Sequence, residues 1–166
     1  EGTVTEPTEV EFTLTVEHEL PFKTATDVNN ITTWYYAQMH ANPNVTAYVE
    51  DNENANNNVE WADKTVAADE IDSHLWGFVG DVFSGIIVVN KGTGKQLTST
   101  GNGDVTITEN GTPFFVAHTS ETSANATYGF CLRKKDSNNF VNANYAAGKL
   151  SHWASTDAGS TMFLTK

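Results

Sequence analysis

The alternation of apolar and polar positions is clearest in residues 73–97, where it predicts two strands joined by a tight turn. An aromatic, apolar run covers residues 75–79, and Gly80 and Asp81 follow it as typical turn formers. A β-branched run then covers residues 85–89, and a polar stretch rich in Gly, Thr and Lys ends it. Strand-forming runs bounded by turn residues are the signature of antiparallel hairpins, so this stretch predicts a β-hairpin.

A similar order of elements recurs near the C-terminus. Residues 130–134 predict a strand, the polar turn Asp-Ser-Asn-Asn follows, and residues 140–143 form a short strand before a Gly-Lys-Leu turn. Apolar-x-apolar pairs begin at Trp76, Phe114 and Met162, where each would close one copy of a repeat. Repetition of short strands with a period of about 40 residues predicts a closed all-β architecture.

These repeats predict how the protein is divided. We expect one all-β domain of three copies, over residues 31–81, 82–119 and 120–166. Residues 1–30 are predicted to be an N-terminal linker and strand extension, because an acidic, Thr-rich start leads into strict alternation over residues 10–16. That strand ends at a proline, and a loop is expected from there to the first copy.

Within the copies, further strands are expected wherever aromatic or β-branched residues concentrate. They cover residues 31–39, 45–50, 86–90, 105–108 and 114–117.

The balance of charges argues against several classes of partner. The sequence has 9 Lys and Arg against 21 Asp and Glu, for a formal net charge of −12 at pH 7. Neutralising phosphates requires basic surface, so we expect no binding to nucleic acid or to an anionic membrane. No apolar run approaches the about 20 residues that a spanning helix needs, so membrane insertion is not expected either.

Neither the cysteine nor the histidines form a pattern typical of catalysis or metal binding. Cys131 is the single cysteine and lies in the apolar run 130–132, which predicts a buried structural thiol and no intramolecular disulfide. The five histidines are scattered singly, without zinc-binding spacing, and no Gly-x-Ser-x-Gly elbow is present. We therefore expect no enzyme, no metal ion and no cofactor.

The pairs that close the copies resemble the repeat signature of a known family. His74, Leu75 and Trp76 match a Gln-x-Trp motif with His in place of Gln, while Phe114 and Met162 replace the Trp in the other copies, which lack the Gln. Residues 31–166 thus resemble a β-trefoil of the ricin B-type lectin superfamily. The closing segment also resembles trefoil-like modules of secreted proteins and glycosidases of gut Bacteroidetes.

Trp153 is the residue most suggestive of a binding site. It stands among polar residues, so the indole is either an exposed platform or packs under the turn formed by residues 157–160. An aromatic face with amides and carboxylates nearby suits the apolar side and the hydroxyl groups of a pyranose.

The resemblance to ricin-type lectins implies an early Asp and a later Asn that hold the sugar in one repeat. In the third copy these would be Asp136 and Asn142, with Tyr145 or Trp153 as the stacking ring; the run 136–139 is also interpretable as a simple turn. The full candidate ligand-binding set is Asp136, Asn139, Asn142, Asn144, Tyr145, His152 and Trp153.

Two functions of different classes are consistent with these patterns. The first is a non-catalytic carbohydrate-binding module of a secreted or cell-surface bacterial protein, with a glycan or glycoconjugate as its ligand. Such a module can be attached to a glycosidase. In that case the protein is a monomer or a module of a larger polypeptide. The alternative is a protein-interaction or spacer module, similar to protease-inhibitor trefoils, because two copies lack the Gln-x-Trp motif.

Overall fold

A computed structural model describes residues 20–39, 45–49, 59–63, 67–118, 129–144 and 148–166. This part of the protein is all-β, with 3₁₀ turns as its only helical elements. No helix in the described ranges is long and apolar enough to cross a membrane. The strands are β1 (Thr24–Ala25), β2 (Tyr35–Met39), β3 (Val45–Val49), β4 (Val59–Asp63), β5 (Leu75–Asp81), β6 (Gly85–Asn90), β7 (Gln96–Thr98), β8 (Thr106–Thr108), β9 (Phe114–His118), β10 (Phe130–Lys134), β11 (Phe140–Asn144), β12 (Lys149–Trp153) and β13 (Met162–Thr165).

Six strands form a closed barrel. The strands pair in the order β5, β6, β9, β10, β13 and β2, and pairing of β2 with β5 completes the ring. Tyr35 lies opposite Trp76 at this closing seam. Since a closed ring has no free edges, this barrel satisfies the backbone hydrogen bonds of its strands internally.

Three hairpins connect strands of the barrel. They are β3–β4, β7–β8 and β11–β12, so that the order barrel strand, hairpin, barrel strand occurs three times along the sequence. Trp76, Phe114 and Met162, the residues predicted to close the copies, are all buried. The predicted all-β class with a closed barrel is confirmed, while the residue boundaries of the copies stay a prediction.

β12 differs from the sequence-based expectation. Gly148, Lys149 and Leu150 were expected to form a turn, but Lys149 and Leu150 already pair with β11, and only Gly148 precedes the strand at a φ of 66°. Leu150 is buried in the core. The strand that ends at Trp153 therefore includes Lys149 and Leu150, two residues that were predicted to belong to the turn.

Residues 20–30 pack against the barrel. The Phe22 ring stacks on Phe78, with ring centroids 3.9 Å apart, and meets Phe130 edge-on at 5.4 Å. β1 extends the sheet by pairing in parallel with β5. The loop expected before the first copy is thus a short strand followed by a 3₁₀ turn at Val28–Asn30, and the strand expected over residues 10–16 lies outside the described residues.

The barrel interior is filled by aromatic and aliphatic side chains. A small cavity among them is lined only by apolar residues, including Ala37, Phe78, Leu132 and Met162. A buried water needs two or more polar partners, which this lining does not offer. The cavity is therefore dry, and its walls are held by apolar packing.

The prediction of a buried thiol is confirmed. Cys131 is buried in β10, and burial raises the pKa of its thiol from 9.0 to about 11. The thiolate is the nucleophilic form of cysteine, so this residue is chemically quiet in the folded protein.

Replacing Phe22 by Ala should lower the free energy of unfolding by about 3 kcal/mol, because it removes a buried aromatic ring and leaves a cavity. Denaturant unfolding measures the change. Phe83→Ala is a matched control, since Phe83 is 71% exposed and its loss should cost under about 0.5 kcal/mol. Similar losses in both variants would mean that Phe22 is not part of the core.

Cys131 should resist a thiol reagent at neutral pH until the protein is unfolded in denaturant, because the folded thiol is buried and protonated. Folding raises this pKa above 9.0, so the associated stability is complete below pH 9.0 and is lost as the pH rises toward 11. The free energy of unfolding is measured across that pH range for the unmodified protein and for the Cys131→Ala variant. With rising pH it should fall more steeply in the unmodified protein. Rapid labelling of the folded protein would contradict this account.

Candidate functional site

The β11–β12 hairpin presents two chemically different faces. Val141 lies opposite His152, and both side chains are buried. Side chains alternate along a strand, so Phe140, Asn142 and Trp153 lie on the other face of the hairpin. The sequence of this hairpin therefore supplies core contacts from one face and leaves the other for a site.

Trp153 is an exposed indole at the end of β12. Its side chain is 64% exposed, and its cross-strand partner is Phe140, which is half-buried. Exposure of this size excludes the interpretation in which Trp153 packs under the following turn. Asn142 is the diagonal neighbour of Trp153, at a spacing that lies within reach of an aromatic side chain.

An amide and a carboxylate meet on the same face. The Nδ2 group of Asn142 donates to Asp157 Oδ1 and to Ser160 Oγ, at 2.8 Å each. Asp157 Oδ1 also accepts from the Gly159 N–H at 2.8 Å, and Ser160 Oγ donates to the carbonyl of Ala154 at 2.9 Å. This network ties the 3₁₀ turn at Ala158–Ser160 to β11 and to the residue after Trp153.

The network leaves hydrogen-bond acceptors, rather than donors, for a ligand. Both amide hydrogens of Asn142 are engaged, and among the described residues no donor reaches Asn142 Oδ1 or Asp157 Oδ2. Asp157 is exposed, while Asn142 is buried beneath it. A hydroxyl group that donates a hydrogen bond would match the exposed Asp157 carboxylate.

Gly159 explains why the turn can approach β11 so closely. A Cβ atom at this position would lie 2.7 Å from the Ala143 carbonyl oxygen and 3.0 Å from Asn142 Nδ2. Any larger residue would push the turn away. The glycine thus fixes the distance between Asp157 and Asn142.

His152 is not part of this face. It is buried, and its Nδ1 lies 2.7 Å from the carbonyl oxygen of Gly103, which can only accept. Nδ1 therefore carries the proton, and Nε2 accepts from the Ser99 hydroxyl at 2.6 Å. With both nitrogens engaged inside the protein, His152 has a structural role and does not face a ligand bound at Trp153.

The predicted acid, Asp136, lies in the turn between β10 and β11. Its φ of 63° is the only positive value of a non-glycine residue in the described ranges. Ser137 organises this turn by accepting from the Asn139 N–H at 3.0 Å and donating to the Gly101 carbonyl at 3.0 Å. The carboxylate that binds Asn142 is that of Asp157, so the structure does not bring Asp136 and Asn142 together by a direct contact.

The remaining candidates divide between the site and its surroundings. Asn144 shares the face of Asn142 and is half-buried, whereas Asn139 belongs to the Ser137 turn. Tyr145 lies outside the described residues. The candidate set omitted Asp157, although an Asp two residues before a Gly is a local signal for a capped turn that presents a carboxylate.

The β7–β8 hairpin offers a comparison. Its strands contain no aromatic residue, and the hydroxyls of Thr98 and Thr108 pair with each other at 2.6 Å. Gln96 Oε1 accepts from the Gly111 N–H at 2.8 Å. These polar groups satisfy one another, so this hairpin lacks the platform and the acceptors found on β11–β12.

No group of three or more His, Cys, Asp or Glu side chains in the described ranges is placed to hold a metal ion.

Similar solved structures identify the fold as a β-trefoil. A ricin B-like lectin from Macrolepiota procera, in complex with lactose, matches 81% of this chain and 95% of its own with a TM-score of 0.64 and 9% identity. The designed three-fold symmetric protein ThreeFoil matches 80% of this chain and 98% of its own with a TM-score of 0.62 and 14% identity. No protein-family model matches the sequence, and comparison with curated proteins finds no match.

A third structure is an enzyme of greater length. The GlcNAcα1-4Gal-releasing endo-β-galactosidase from Clostridium perfringens matches 82% of this chain with a TM-score of 0.61 and 15% identity. The match covers 33% of the enzyme. The similarity therefore concerns one portion of that protein.

Proposed function

We propose that this protein is a non-catalytic carbohydrate-binding module that holds a glycan or glycoconjugate on the outer face of β11–β12. The observation that carries the proposal is Trp153, which is 64% exposed on the same face as the Asn142–Asp157 pair. A large exposed aromatic residue beside fixed polar groups is typical of a ligand site.

Stacking would supply much of the affinity. One side of a pyranose ring is formed by C–H groups, and an indole offers a flat apolar surface of similar size. Burying the exposed part of Trp153 against a sugar removes apolar area from water without displacing any core contact. The indole is better placed for this role than Phe140 opposite it, which is already half-buried.

Hydrogen bonds from sugar hydroxyls would set the orientation of the ligand. Asp157 Oδ2 can accept a charge-assisted hydrogen bond from a sugar hydroxyl, and the buried Asn142 amide holds this carboxylate in position. The Gly159 N–H and Ser160 Oγ already hold these two side chains in place. A preorganised pair loses little conformational entropy when a ligand binds.

The wider context of the protein is part of the proposal. The M. procera lectin was solved in complex with lactose, and the C. perfringens enzyme is an endo-β-galactosidase that releases GlcNAcα1-4Gal. In this proposal the protein is a monomer or a module of a larger polypeptide, and it belongs to a secreted or cell-surface bacterial protein that can include a glycosidase. Its three trefoil copies would span residues 31–81, 82–119 and 120–166, with residues 1–30 as the extension.

Trp153→Ala should remove about 2 kcal/mol or more of binding free energy, since one stacked aromatic commonly dominates a small polar site. A glycan array selects the ligand, with lactose included as a probe, and isothermal titration measures the affinity. Phe83→Ala is the matched control, because it removes a comparably exposed ring far along the sequence. Unchanged affinity in Trp153→Ala would place the site elsewhere, and absence of any glycan ligand would favour the protein-interaction alternative.

Asp157→Asn should weaken glycan binding about tenfold while leaving the unfolding transition nearly unchanged. The new amide oxygen can still accept from Asn142 and Gly159, but Oδ2 is replaced by a donor and the charge is lost. Asp136→Asn removes a carboxylate from the neighbouring turn and should have little effect. Titration of both variants separates the two acids: loss of binding in Asp136→Asn alone would restore the assignment that the family resemblance implied.

A further inference from the structure

The sequence contains two Asn-Gly pairs, Asn102–Gly103 and Asn110–Gly111. In such pairs the backbone nitrogen of the glycine can attack the Cγ atom of the asparagine. Glycine favours this step because it has no side chain to shield the nitrogen and its backbone rotates freely. Whether the step occurs in a folded protein depends on where that nitrogen points and on the space around it.

The structure treats the two pairs differently. The Gly103 nitrogen lies 3.0 Å from Oδ1 of Asn102, and since Oδ1 is bonded to Cγ, the nitrogen is held beside the carbon that it would attack. Asn102 and Gly103 are exposed, and a Cβ at Gly103 would meet nothing within 4 Å. The glycine nitrogen of the first pair is thus close to its own asparagine side chain and unhindered.

The second pair is protected. The Gly111 N–H donates to Gln96 Oε1 at 2.8 Å, so it points away from its own asparagine. A Cβ at Gly111 would lie 2.6 Å from Gln96 Cβ and 2.9 Å from the Leu97 carbonyl oxygen, which shows how tightly this backbone is packed. The protein therefore contains its own control for the same dipeptide.

We propose that Asn102 is a site of spontaneous succinimide formation and deamidation in the folded protein. A bond forms between the Gly103 nitrogen and Asn102 Cγ, the bond between Asn102 Cγ and Nδ2 breaks, and ammonia leaves with the proton of the former N–H. Water then adds to one of the two ring carbonyls and opens the ring. The products are Asp or isoaspartate at position 102, and no oxidant, reductant or enzyme is required.

The reaction lies inside a contact that holds β12. The Gly103 carbonyl accepts from His152 Nδ1, and Ser99, on the other side of Asn102, donates to His152 Nε2. Isoaspartate inserts one methylene into the backbone between these two contacts. It would move the Gly103 carbonyl away from His152, the residue directly before Trp153.

A loss of ligand affinity after isoaspartate formation follows from this contact, and this consequence rests on the proposed function. Asp and isoaspartate at position 102 each add one negative charge to the net charge of −12. Asp, unlike isoaspartate, leaves the backbone length unchanged. The two products therefore separate an effect of geometry from an effect of charge.

The test begins with the folded protein in mildly alkaline, ammonia-free buffer, followed by peptide mass spectrometry over time. We expect a gain of about 1 Da at Asn102 while Asn110 stays intact, and reaction of both sites in denaturant. Asn102→Gln should abolish the change, because a six-membered ring forms far more slowly. Equal rates at Asn102 and Asn110 in the folded protein, or no reaction at Asn102 before unfolding, would overturn the proposal.

A second measurement addresses the contact with His152. The isoaspartate-containing protein is separated by ion exchange and identified by isoaspartyl methyltransferase labelling. Its NMR spectrum should show a shifted His152 ring signal, and it should bind the glycan more weakly than the Asn102→Asp variant does. An unshifted ring signal would refute the coupling. Since the mass and NMR measurements need no ligand, failure of the glycan-binding proposal would leave both of them interpretable.

Discussion

Closure of the barrel between β2 and β5 is the constraint on which the rest of the structure depends. This seam joins strands distant in sequence, with Tyr35 opposite Trp76, and it removes the edges that β2 and β5 would otherwise expose. Trp76 also donates its indole N–H to the Ala47 carbonyl at 2.9 Å, which fastens the first hairpin to the barrel. The hairpins can carry a site because the ring beneath them is fixed.

Strand alternation then determines which residues can serve a ligand. Val141, Leu150 and His152 lie on the buried face of β11–β12, so the alternate residues are left on the outer face. Asn142 is outside by register but is buried by the turn that folds over it. The alternation of side chains along the strands therefore decides both which residues enter the core and which lie on the face of the candidate site. The turn after β12 adds Asp157 to that face from further along the sequence.

Local pattern was sufficient for the fold wherever a strand has strong alternation and clear turns. Strands β5, β6, β10 and β11 were all predicted close to their observed bounds. β7 was not predicted, because three residues between glycine-rich turns show too little periodicity. The start of β12 was predicted to be a turn, since Gly148 is a strong turn signal and the strand is polar.

The site was only partly predictable, because its decisive contacts are not local. Trp153 could be recognised from its polar neighbours, but the choice between Asp136 and Asp157 depends on how the turn at Gly159 packs against β11. His152 resembles a surface residue in sequence, yet its partners lie 53 and 49 positions away in the loop between β7 and β8. That loop satisfies both ring nitrogens, so it holds β12 from its buried side while Trp153 faces outward. The outer face of the third hairpin, where we propose the glycan site, is therefore supported by the loop of the second.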